Sequence, residues 1–170
     1  MFKKIHRKKI EKIIEKALLK RDASQLNAKV QSVAFLFDEQ IQKEVSFYKP
    51  IANVFSISTE TIEYLAFVTF DKKKPSLEHQ FTKKDFSWQG KINSEKIERF
   101  IQKEVDVLVC YYKGDHEYLD LISAKSNAAF KIGFKGNDER IADLILALDP
   151  LNVDTVAQEI KKYLAILGKI

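Results

Sequence analysis

Two hydrophobic periods divide the chain near residue 30. In the opening segment, MFKKIHRKKIEKIIEKALLKRD, apolar positions recur at helical spacing. At 100° per residue Phe2, Ile10, Ile13, Ile14 and Ala17 share one side, while Lys4, Lys8, Lys12, Lys16 and Lys20 follow an i, i+4 row along the other. The pattern predicts an amphipathic helix with a lysine stripe. Asp22, Ser24 and Asn27 break it, so a short polar connector is expected next.

From Val30 short apolar runs alternate with helical spacing. VAFLF (33–37), closed by Asp38, reads as a strand covered on both faces. EQIQKEVSFY (39–48) has helical spacing at Ile41, Val45 and Tyr48, and Pro50 predicts that this helix ends or kinks at Lys49. YLAFVTF (64–70) is the next strand by its β-branched and aromatic content, leading into the loop DKKKPS. Residues 78–91 suggest a short strand and an irregular turn at Gly90. Ser94 is placed to cap a helix through Ile97, Phe100 and Ile101. VDVLVCYY (105–112) is a buried strand, followed by a turn at Lys113 and Gly114 and a helix with Asp115 as its expected cap. FKIGF (130–134) and ADLILAL (142–148) are further strands, and Asn152 opens a last helix that Gly168 ends. Strands alternating with helices predict an α/β fold: one doubly wound, Rossmann-like, mostly parallel sheet with helices on both faces. Residues 1–29 form the basic helix and connector, and residues 30–170 the α/β domain.

Charge sharpens this division. Residues 1–29 hold ten Lys/Arg and three Asp/Glu, whereas the remainder is slightly acidic. Such asymmetry points to an anionic partner for the first segment. At 170 residues and 45% apolar content the chain can bury a core. One cysteine excludes an internal disulfide, and Cys110, His6, His79 and His116 do not stand at zinc-ligand spacing. No apolar run has the length of a signal peptide core or a membrane span, and a cytoplasmic location is the simplest expectation.

The run VDVLVCYYKGDHEYLDLISAKSNAAFKIGF (105–134) resembles the strand, turn, helix and following strand in the N-terminal half of heptosyltransferase-type glycosyltransferases. Asp106 matches that family's early acidic residue, Gly114 sits one place past its glycine, and Ala128, Lys131, Ile132, Gly133 and Phe134 match the later strand. Cys110 stands where the family has a second aspartate, and the chain stops where the nucleotide-sugar-binding half would begin. The whole chain also resembles an uncharacterised group of small α/β proteins.

For chemistry, the richest stretch is the turn after VDVLVCYY. Tyr112, Lys113, Asp115 and His116 sit between a strand end and a helix start, where open α/β sheets bind ligands and helix amides attract phosphate. An ordinary surface Asp–His pair at a cap is the bland alternative. No G-x-G-x-x-G or Walker sequence accompanies it, no catalytic residue or metal ligand can be named, and no cofactor is implied. Cys110 reads as a buried inert thiol and Asp38 as a capping carboxylate. Phe86 and Trp88 read as a flap buried over the sheet, with an interface anchor as the alternative. Lys72, Lys73, Lys74, Lys83 and Lys84 read as soluble loops or as an extension of the basic surface.

The reading that follows is a non-catalytic binding module whose Lys4, Lys8, Lys12 and Lys16 hold an anionic macromolecule, RNA or a ribonucleoprotein ahead of an anionic membrane surface. A degenerate or single-domain glycosyltransferase-like enzyme or nucleotide binder is the second reading. A subunit that packs the apolar helix face on a partner protein is the third. An exposed, loose helix favours nucleic acid or membrane; an ordered helix docked on its own sheet favours a structural role.

Overall fold

Runs of five or six consecutively buried residues build the centre of the molecule. They are β1 (Val33–Asp38), β4 (Val107–Tyr111) and β5 (Phe130–Phe134). With β2 (Glu63–Phe67), β3 (Gln80–Phe81) and β6 (Leu144–Leu146) they form one all-parallel sheet, in the order β3-β2-β1-β4-β5-β6, in the computed structural model. The structure describes residues 2–170, and the side chains among them other than those of Phe2 and Val45. Period-2 alternation sends Phe35, Phe37, Val109 and Tyr111 to one face, under α2 (Lys49–Val54) and α5 (Val153–Ile166). Ala34, Leu36, Leu108 and Cys110 face the other, under α1 (Phe2–Leu19), α3 (Glu95–Gln102) and α4 (Glu117–Lys125). This is the doubly wound α/β architecture.

Local chemistry moves several predicted boundaries. The helix expected over 39–48 is absent: Asp38 forms a turn with Gln40 and Ile41, and only a 3-10 turn follows at Val45–Tyr48. Pro50 stands in the first turn of α2 rather than ending a helix, because the first turn needs no amide donor. β2 stops at Phe67, short of the expected Phe70. Ser94 is the N-cap residue of α3 but its hydroxyl accepts no capping bond. Asn152 does cap α5, accepting from the Thr155 amide at 3.1 Å. The cap of α4 is His116, not Asp115: its Nδ1 accepts from the Leu119 amide at 3.3 Å.

α1 is docked, not loose. Ile10 and Ile14 are buried against α4, within the same apolar cluster as Leu36 and Leu108. His6 faces Glu117 at 3.5 Å, Arg7 pairs with Asp115, and Glu11 meets Arg140 at 2.5 Å. Past the helix, Arg21 grips Asp143 at 2.6 and 2.8 Å and the Ala129 carbonyl at 3.0 Å. The connector is tied as well: Lys169 donates to the carbonyls of Leu26 and Ala28. The inward place read for Phe2 lies outside the described side chains.

Candidate functional site

In a sheet of this order the connections after β1 and β4 leave on opposite faces, which opens a crevice at their carboxyl ends. The four residues read from the sequence reach that end, but only Asp115 and His116 line a common cavity. Tyr112 is fully buried, and its hydroxyl donates to Asp120 Oδ1 at 2.8 Å and lies 3.2 Å from Ser123 Oγ. Lys113 turns away to pair with Asp149 at 2.9 Å. Asp115 is exposed and holds Arg7. His116 faces a cavity that Asp115 also lines, while capping a helix.

A buried polar chain lies beneath this turn. Asp120 accepts from the His116 amide at 2.9 Å as well as from Tyr112, yet burial still pushes its carboxyl up to about 6. Cys110 is buried as expected; its Sγ sits 3.2 Å from Ser123 Oγ, and burial pushes its thiol up to about 11. Lys131 is buried on β5 and donates to the Ser123 carbonyl at 2.6 Å, closing the end of α4; burial lowers its ammonium to about 8. Asp106 serves the opposite end of the sheet, accepting from the amides of Gln31 and Ser32. Lys131 and Asp106, two of the residues carrying the heptosyltransferase resemblance, therefore have structural partners in this chain.

The cavity at His116 encloses about 590 Å³, with Lys3, Lys4 and Arg7 of α1 on one side and Phe67, His116 and Tyr118 on the other. His116 lies edge-on to Phe67 with ring centroids 4.5 Å apart. Burial lowers its pKa against the opposing pull of Asp38 and Glu117, so the ring is held neutral near pH 7. With Nδ1 accepting from Leu119, the remaining proton is on Nε2. Asp115 and Glu117 on the same rim offset much of the positive charge. Sequence reading missed Lys3, Arg7, Phe67 and Tyr118, since they come from three elements far apart in the chain. The only signal was that Lys3 and Arg7 are one helical turn apart.

The lysine row has a different geometry. Lys4, Lys8, Lys12 and Lys16 are all exposed, and none makes an ion pair among the described residues. Glu11 is turned to Arg140, which leaves Glu15 as the one acid of α1 on the solvent side. Of the loop lysines, Lys72, Lys74 and Lys84 line a groove together with Glu39, Asp71 and Asp85. Of the expected flap, Phe86 is buried, but Trp88 remains 50% exposed with the Lys9 ammonium 3.6 Å from its ring centre.

Among the described residues no helix is long and apolar enough to cross a membrane. No curated protein and no solved structure matches the chain. The chain does belong to a family: the one described as Family of unknown function (DUF6913) matches residues 6–167, which takes in α1 from His6 onward.

Proposed function

We propose that this protein is a non-catalytic module that binds an anionic polymer, RNA or a ribonucleoprotein, along the exposed lysine row of α1. Docking of α1 on its own domain is the outcome that favours a structural role for this helix; what carries the binding reading is the face that docking leaves outside. Lys4, Lys8, Lys12 and Lys16 project into water from a helix whose other face is fixed to the protein. At 1.5 Å rise per residue the helix spaces the four lysine positions about 6 Å apart along its axis, close to the repeat of nucleic-acid phosphates, and because the backbone is already docked the ordering cost on binding is confined to the lysine side chains. Contacts made only by lysines read phosphates and not bases. The apolar face that a membrane or a partner subunit would need is occupied by α4, which favours a polyanion over both.

Truncation before Asn27 does not test this reading, because it would remove Ile10, Ile14 and Arg21 from the fold. Surface substitution does. Lys8→Ala with Lys12→Ala should weaken binding to two RNAs of unrelated sequence by the same factor, measured by fluorescence anisotropy, while the melting temperature stays unchanged. Equal affinity of variant and parent for both RNAs would remove the reading.

The second reading is a nucleotide or sugar-nucleotide binder of the kind implied by the heptosyltransferase-like stretch. The cavity of about 590 Å³ at the carboxyl edge of the sheet favours it, having aromatic walls and cations at its mouth. A nucleotide at 100 times its dissociation constant should stabilise the fold by roughly 2.7 kcal/mol in a thermal-shift panel. No shift with any nucleotide or nucleotide sugar retires it.

A further inference from the structure

We infer that Trp88 gives the lysine face a base-stacking platform, so that its polyanion is a single-stranded nucleic acid; this rests on the polyanion reading above. The placement begins with Gly90. Its φ of +81° closes the turn 87–91, in which the amides of Gln89 and Lys91 donate to Ser87 Oγ and the Gly90 amide to the Ser87 carbonyl. A Cβ at Gly90 would stand 2.9 Å from Ile10 Cγ1 and 3.0 Å from Ile13 Cδ1. Only glycine lets the turn lie directly on α1, and that contact sets the indole beside Lys9.

The flank of α1 next to Trp88 is the one without acids. At 100° per residue Lys9 lies about 20° around the helix from Lys16 and about 60° from Lys12. Glu11 and Glu15 lie further round, toward the Arg140 edge. Ile5, 37% exposed, and Lys91, also exposed, complete a surface that joins cations to apolar area. Single strands are held by that combination, since every base has a face to stack and every linkage a phosphate to neutralise.

Competition with Lys9 favours the base. An exposed cation–π contact is worth about 2- to 5-fold in an equilibrium constant, whereas stacking of one base on an aromatic side chain is worth about 5- to 150-fold. On binding, the base takes the indole and Lys9 moves to the adjacent phosphate. A duplex, with its bases already stacked, gains only the charge term. Heparin likewise has no aromatic base to stack.

Trp88 is the only tryptophan, so its emission reports this one ring. The full chain is titrated with a 12-nucleotide oligouridylate, a 12-base-pair RNA duplex and heparin, and affinities are measured in parallel by anisotropy competition. The single strand should quench Trp88 most, and Trp88→Ala should weaken its binding at least ~5-fold while heparin affinity is unchanged. Trp88→Phe, which keeps a ring, should recover part of the loss. If all three polyanions bind and Trp88→Ala alters none of them, the platform is wrong and the charge reading stands. Binding of none of them overturns both.

Discussion

Asp120 shows what a single side chain does beneath the candidate site. It was not marked in the sequence, because one acid within YLDLIS looks like the polar face of a helix; only the sheet behind α4 makes it buried. Its folded pKa of about 6 lies above the ordinary 3.8, so the folded state takes up the proton more readily than the unfolded chain. Its contribution to stability is therefore complete below about pH 4 and is lost as pH rises through 6. The difference amounts to about 3 kcal/mol. His116 works in the opposite sense, since its lowered pKa makes its contribution fade as pH falls, so the raw stability curve mixes the two. The comparison with Asp120→Asn separates them. Urea unfolding should show the variant falling further behind the parent at pH 4.5 than at pH 7.5, and a gap independent of pH would contradict the assignment. His116 itself is visible in the sequence as chemistry, whereas residue type at the helix start points to Asp115 as the cap. The distinction rests on an imidazole reaching the Leu119 amide, which residue type alone does not reveal.

At the scale of the element, α1 was legible as a helix because its apolar period is 3.6 throughout, while its docking was not. A period says that one face is apolar and leaves open what covers it. The covering comes from α4 and the turn at Gly90, whose contacts are set by the sheet and not by the segment itself. The failed helix at 39–48 has a related cause: Ile41 and Tyr48 do pack on the core, but Asp38 bonds the Gln40 amide and begins a turn instead. Two substitutions separate docking from binding. Ile10→Ala, at a site 1% exposed, should cost roughly 2–5 kcal/mol in chemical denaturation. Gly90→Ala should cost about 1–3 kcal/mol, because it combines the close approach to Ile10 with a positive φ. Lys8→Ala and Lys12→Ala should each stay within about 0.5 kcal/mol of the parent. An Ile10→Ala variant as stable as the parent would mean that α1 is not held as described.

On the scale of the whole molecule, the alternation of buried runs and helical stretches gave away a doubly wound sheet, because strands covered on both faces cannot hide their composition. The fold brings the amino end of α1 to the carboxyl edge of the sheet, where Lys3, Lys4 and Arg7 meet His116. That neighbourhood has no trace in the sequence, since more than a hundred residues separate the two. The net positive charge of residues 1–29 is thus displayed along one docked edge of an otherwise mildly acidic body, which favours a single orientation on a polyanion. The most direct measurement of that claim is the affinity for a single-stranded RNA as a function of potassium chloride concentration, for the parent and for the variant with Lys4, Lys8, Lys12 and Lys16 all changed to Ala. Four phosphate contacts at about 0.7 each predict a slope of log affinity on log salt near −3 for the parent and a much flatter line for the variant. A salt-independent affinity, or equal slopes for the two proteins, would contradict the account.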